Sequence, residues 1–168
     1  MFYERVIRPL LFRYSTGDSE KAHEKALALL RYVGKRERLA RVIEQFSTFE
    51  DAGLKQEIFG LKFRNPVGLA AGFDKNAVAT QGIAALGFGF NEVGTVTQRS
   101  QEGYPRPRIF RFPRNEALIN RMGFPNDGAD VIAKRLSELK KSSIPLGINL
   151  GKSMITSLDK AVDDYLYT

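Results

Sequence analysis

Three strand-end segments and one long loop hold the residues whose types and spacing are suited to chemistry. In "NPVGLAAGFDKN", residues 65–76, small apolar residues run to Gly72 and Phe73, then Asp74 and Lys75 arrive together. Small residues at a strand end let a flat ligand approach the backbone, and a fixed lysine at the rim suits a carboxylate or another anion. The plainer alternative is close packing against a helix, with Asp74 and Lys75 in solvent. Two further segments bear on the choice. "EVGTVT" ends in Thr95 and Thr97, and "GINLGK" places Asn149 at a strand end. The loop "LINRMGFPN" adds Asn120 and Arg121 before Met122, Gly123 and Phe124. Amides, hydroxyls and one lysine around apolar surface describe a pocket for a planar, polar-edged ligand carrying an acid group.

Other chemistries are excluded or weak. The 168 residues include no cysteine and one histidine, His23, so thiolate metal sites, disulfides and cysteine nucleophiles are absent. No histidine stands beside a plausible nucleophile, which argues against a Ser-His-Asp hydrolase. "GINLGKS" ends like a phosphate-binding P-loop, but three residues separate Gly147 from Gly151 where that loop needs four. "GFGFNEVG" begins like a dinucleotide fingerprint, yet it precedes a strand instead of following one. Asp163 and Asp164 read as solvated residues on a helix surface. The net charge of +7 fits an anionic substrate, an anionic membrane surface, nucleic acid or a merely basic surface. No basic patch with interleaved stacking aromatics supports nucleic acid.

These residues need elements to position them. The periodicity predicts a helix near the start, with Phe2, Val6, Ile7, Leu10 and Leu11 opposite Arg5, Arg8 and Arg13, shortened or kinked by Pro9. That pattern fits a helix lying in a membrane interface or one packed on a core. A second helix follows cap candidates Asp18 and Ser19, with a stripe of Ala22, Ala26, Leu29, Leu30 and Val33, and ends at Gly34. A third spans 37–46 with Leu39, Val42, Ile43 and Phe46 facing inward. After residue 50 the texture changes. Two short strands flank Gly60; then "PVGLAAG" reads as a strand ending at Ala70, Ala71 and Gly72, and 77–86 as a helix. "FNEVGTVT" is a strand, and "RIFRF" an extended piece in a long loop. A helix over 127–140 has Val131, Ile132, Leu136 and Leu139 on one face; "IPLGINLG" is a strand, and 158–167 begins a helix. Strands alternating with helices mean parallel βα units, whose chemistry collects at the strands' carboxyl ends.

The segments "NPVGLAAGFDKN", "GFGFNEVGTVTQRSQEGYPRPRIFR", "LINRMGFPNDG" and "GINLGK" resemble the flavin-dependent dihydroorotate dehydrogenases, and "SEKAHEKAL" is similar to their membrane-associated, quinone-reducing class. The resemblance runs along nearly the whole chain. It implies a (β/α)8 TIM barrel holding FMN, truncated here after about three to four βα units, with a small N-terminal helical unit at residues 1–47 and barrel at 48–168. It implies oxidation of dihydroorotate to orotate in pyrimidine biosynthesis, with a membrane quinone reoxidising the flavin. Carried over by motif, Ala71, Gly72, Phe73, Asp74, Lys75, Thr95 and Asn149 line the flavin. Lys75, Asn120, Arg121, Met122, Gly123 and Phe124 meet the substrate, and His23 and Arg111 line the quinone tunnel. Phe73 stands where relatives commonly have leucine.

The family's base is a serine in an "INxSSPN"-type segment, which the resemblance puts beyond Thr168. The same resemblance leaves no catalytic residue in this chain, which reads as the N-terminal part of an enzyme and is expected to be inactive alone. It also implies peripheral attachment to an anionic membrane surface through the first helix. The start at Met1 without a transit peptide points to the cytoplasmic face of a bacterial membrane. Two alternatives stay open: a cytosolic-class FMN barrel enzyme acting on the same pyrimidine, or a non-catalytic basic module for membrane surfaces.

Overall fold

A computed structural model describes residues 5, 6, 8–10, 18–139 and 142–168. The expected first helix falls mostly outside these, although residues 8–10 are helical. Helix α1, Ser19–Gly34, begins where expected: the Asp18 carboxylate accepts from the Glu20 and Lys21 backbone N–H groups and satisfies two donors that a helix start leaves orphaned. Its buried side is Glu20, Ala22 and Val33, whereas Leu29, expected in the stripe, is 61% exposed. Helix α2, Glu37–Ser47, buries no residue. Its inward face is a correction, because Val42 and Phe46 lie open to solvent. A period of 3.6 shows that a face exists, not that something covers it.

Strands β1, Gln56–Ile58, and β2, Leu61–Phe63, are the two short strands expected around Gly60, and they pair as an antiparallel hairpin. Next come β3, Gly68–Leu69, helix α3, Thr80–Ala84, and β4, Phe90–Val96. β5, Ile109–Phe112, pairs antiparallel with β6, Ala117–Asn120. The extended piece expected inside a loop is thus half of a hairpin, and Asn120 is its last strand residue. Helix α4, Ala129–Ser137, strand β7, Leu146–Leu150, and helix α5, Ala161–Tyr167, complete the order. On α4, Ile132 is buried but Val131 is 49% exposed, which narrows the expected apolar face.

The central sheet is parallel, in the order β3-β4-β7. Its helix-side core joins Val93 and Val96 of β4 to Ala77, Ala129 and Ile132. α3 lies so close to α1 that a Cβ at Gly82 would collide with the Leu30 carbonyl. α3 is also shorter than the expected 77–86 helix. Asp74 holds the preceding turn by accepting from the Val78 and Ala79 N–H groups at 2.9 and 2.7 Å, while Ala77 takes a left-handed φ of 53°. At the other end of the sheet, Asn65 ties the entry to β3 against Gly87 and Val67. The Asn91 side chain is buried near the start of β4 with no hydrogen-bond partner among the described residues.

Candidate functional site

The site builds up from the carboxyl ends of β3, β4 and β7. β3 itself stops at Leu69, so residues 70–72 are a turn and not the strand end expected. The turn is still sheet-bound: the Gly72 N–H donates to the Gly94 carbonyl at 2.8 Å, and the Gly94 N–H to the Asp74 carbonyl at 3.3 Å. Gly72 sits at φ 102°, a region that favours glycine, with nothing within 4 Å of where a Cβ would project. The backbone there faces open space, which fits a flat ligand lying against it.

Asp74 and Lys75 are not in solvent. Asp74 is fully buried, and burial pushes its carboxyl above the ordinary aspartate value, against the backbone N–H groups it accepts from. Lys75 is half-buried, and its ammonium donates to the Gly72 carbonyl at 2.5 Å. Burial lowers its pKa below the ordinary lysine value; Glu20 and Asp74 oppose that shift and Arg108 adds to it. A partly desolvated ammonium beside an open backbone is suited to an incoming carboxylate.

β4 and β7 join the rim through one side-chain bond. The Thr95 hydroxyl donates to Asn149 Oδ1 at 2.6 Å, and Asn149 Nδ2 donates to Glu92 at 3.1 Å. The bond lies at a register shift between Gly94 and Val96, where the ladder to β7 is irregular. A Cβ on Gly151 would collide with the Thr95 methyl, so glycine is required there for close approach.

The 120–124 segment is set by its neighbours. The Arg121 N–H donates to the Arg108 carbonyl at 2.8 Å, and the Tyr104 N–H to the Met122 carbonyl at 3.1 Å. Gln101 Nε2 donates to the Gly123 and Phe124 carbonyls, while its Oε1 accepts from the Met154 N–H at 3.0 Å. Asn126 bonds Thr97, Phe124 and Gly128 from a buried position. Asn120, Arg121 and Phe124 remain exposed.

His23 reaches the same rim from α1. Its Nε2 lies 2.7 Å from the Phe73 carbonyl, and a carbonyl only accepts, so Nε2 carries the proton. The imidazole also meets the Phe73 ring edge-on at 5.0 Å between centroids. Arg111 lies on exposed β5, three residues beyond Arg108.

Sequence reasoning missed several residues here. Glu20 and Arg108 form an ion pair at 2.5 Å with side chains 8% and 7% exposed. Burial opposes the Glu20 charge, but Arg108 and then Arg106 outweigh it and hold the carboxyl below its ordinary value. Asp164, expected in solvent, is 1% exposed. It accepts from the Ser153 N–H and hydroxyl at 3.0 and 3.2 Å, and from the Thr156 hydroxyl. Burial raises its pKa, and the Thr156 and Ser153 bonds overcome that to give a net lowering. A lone Glu on an amphipathic helix, or an Asp-Asp pair, carries no sequence signal of such partners.

The arrangement defines an α/β protein with a parallel sheet whose carboxyl-end loops form a polar rim around open backbone. Residues 53–168 match the family model described as dihydroorotate dehydrogenase, and the chain belongs to that family. It is 52% identical over 165 residues to a dihydroorotate dehydrogenase (quinone) of Chloroflexus aurantiacus, covering 98% of this chain and 46% of the relative. It is 53% identical over 162 residues to one of Acidithiobacillus ferrooxidans, covering 96% of this chain and 44% of the relative. The chain therefore spans less than half the length of these relatives. A crystal structure of an Eimeria tenella DHODH in complex with ferulenol superposes with a TM-score of 0.68 at 38% identity, covering 88% of this chain and 39% of that one. The ligand-free form from the same organism gives 0.62 at 40% identity, covering 76% and 39%. Among the described residues no helix is long and apolar enough to cross a membrane, and no cluster of potential metal ligands occurs.

Proposed function

We propose that this chain is the first part of an FMN-dependent, quinone-reducing dihydroorotate dehydrogenase, which oxidises dihydroorotate to orotate in pyrimidine biosynthesis. It supplies the first three to four units of a (β/α)8 barrel from residues 48–168 and an acceptor-side helical unit from residues 1–47. The observation that carries the reading is the rim itself: Lys75, open backbone at Gly72 and the Thr95–Asn149 pair meet at the carboxyl ends of three parallel strands. Such ends are where ligands bind in parallel α/β folds.

Each residue then has a task. Residues 71–75 with Thr95 and Asn149 hold the flavin, and the glycine turn lets it lie against the backbone. FMN supplies the hydride chemistry when bound. Lys75 fixes the substrate carboxylate and so sets orientation. The Asn120 amide bonds the pyrimidine edge, and residues 121–124 shape the pocket wall. His23 and Arg111 line the path of the quinone. The proton next to the ring carbonyl is taken by a serine that the resemblance puts beyond Thr168, so the chain alone turns over no dihydroorotate; a barrel's phosphate site lies after its seventh and eighth strands, so the chain alone also retains no FMN. Peripheral binding to an anionic membrane at its cytoplasmic face, through the basic N-terminal segment, brings the quinone within reach.

A chimera tests this: the present chain fused to the remaining half of the Chloroflexus aurantiacus relative. It should show flavin absorbance and form orotate with a quinone acceptor, and Lys75→Ala should abolish orotate formation. A chimera that holds flavin yet leaves dihydroorotate unoxidised overturns the reading. Preference for a soluble acceptor over quinone points instead to a cytosolic-class enzyme.

A further inference from the structure

α1 meets the rim at two places, and they differ in kind. One is the single His23–Phe73 hydrogen bond. The other is a charge cluster. Arg108 Nη2 and Nε grip Glu20 at 2.5 and 3.0 Å, Arg106 reaches Glu20 at 3.0 Å, and Arg106 also reaches Glu24 at 2.6 Å. The Arg108 guanidinium continues inward to the Glu102 and Tyr104 carbonyls at 2.7 and 3.0 Å. Tyr104 in turn bonds Met122 of the 120–124 segment. One guanidinium therefore spans α1, the loop after β4 and the wall of the site.

Glu20 lies one helical turn before His23, so the pair fixes the stretch of α1 that carries the imidazole. A bidentate arginine–carboxylate pair constrains both distance and plane, which a lone imidazole bond does not. We propose that Glu20–Arg108 is a positioning latch: it seats α1 on the rim and holds His23 against Phe73, so that the acceptor side is formed before any ligand arrives. The latch deepens the reading of His23 as an acceptor-side residue and rests on it.

His23 is the only histidine in the chain, so its ring gives a single NMR signal. The test follows that signal, together with backbone hydrogen exchange of α1, β4 and β7, in the 168-residue chain. Glu20→Gln and Arg108→Lys should speed α1 exchange at least tenfold, leave β4 and β7 unchanged, and move the His23 signal toward that of free histidine. Glu20→Asp, which keeps the charge, should restore part of both effects. Unchanged α1 exchange in both variants overturns the latch. So does opening of β4 and β7 together with α1, which would make the pair a general stabiliser. Titration with a short-chain, water-soluble quinone separates the two claims. It should shift the His23 signal in the parent chain and not in Glu20→Gln. No shift in the parent, with the exchange results as expected, removes the acceptor-side reading while the latch stands.

Discussion

The two ends of the parallel sheet treat buried polar groups differently. At the carboxyl end, Asp74, Thr97, Asn126, Ser153, Asp164 and, in the loop above, Arg108 are all buried and all hydrogen-bonded. The amino end is mixed: buried Asn65 bonds Gly87 and Val67, but Asn91, equally buried in β4, has no partner for its amide among the described residues. An orphaned buried amide costs free energy, whereas a satisfied network constrains geometry. The carboxyl end therefore holds its loops in one arrangement, and the amino end tolerates a local defect at Asn91. Asn65 and Asn91 are the same residue type at the same end, so type alone does not decide which buried polar groups are wired.

Breaking the wired end should have the largest effects. Arg108→Met leaves the Glu20 carboxylate buried without its main partner, and the opening free energy of α1, read from its amide exchange, should fall by about 3–5 kcal/mol while β4 and β7 keep theirs. Asp164→Ala strands the buried Ser153 N–H and the Thr156 hydroxyl, and a chemical-denaturation series should show a loss of about 3 kcal/mol. The unwired position should respond with the opposite sign. Asn91→Val removes an unsatisfied amide, and the unfolding free energy should rise by about 1–2 kcal/mol. A loss there would mean that the amide has a partner and the contrast fails.

Acid titration sharpens the same comparison. Glu20 and Asp164 have folded values below the ordinary 4.5 and 3.8. Their contribution is therefore present above those values and is lost as pH falls through the folded ones. Asp74 has its folded value above 3.8. The folded state takes up that proton first, so Asp74 favours folding as pH falls and partly offsets the other two. Between about pH 5 and about pH 3, stability should fall less steeply in Asp164→Ala than in the parent, and more steeply in Asp74→Asn. The smallest effect belongs to a surface neither end uses. Phe46 is 87% exposed, and Phe46→Ser should change the unfolding free energy by no more than about 0.5 kcal/mol.

Much of the fold was legible because it rests on local signals. Asp18 before an apolar-periodic run marks the start of α1, and the hairpin around Gly60 follows from turn chemistry. The alternation of β3, α3, β4, α4 and β7 announces parallel pairing. The misreadings share one cause. The faces assigned to α2 and α4 and the solvation assigned to Asp164 all depend on what lies opposite, which periodicity does not report; Asp163 beside it is exposed as expected.

The sequence by itself determined the family, the order of elements and the segments that meet at the rim. It did so because motif spacing, capping and hydrophobic period act over a few residues. Only the tertiary structure decided that Asp74 and Asp164 are buried, that His23 lies on Phe73, and that Glu20 reaches Arg108 across 88 positions of chain. Burial and ion pairing depend on elements distant in sequence, and a carboxylate carries no local mark of the guanidinium that will neutralise it.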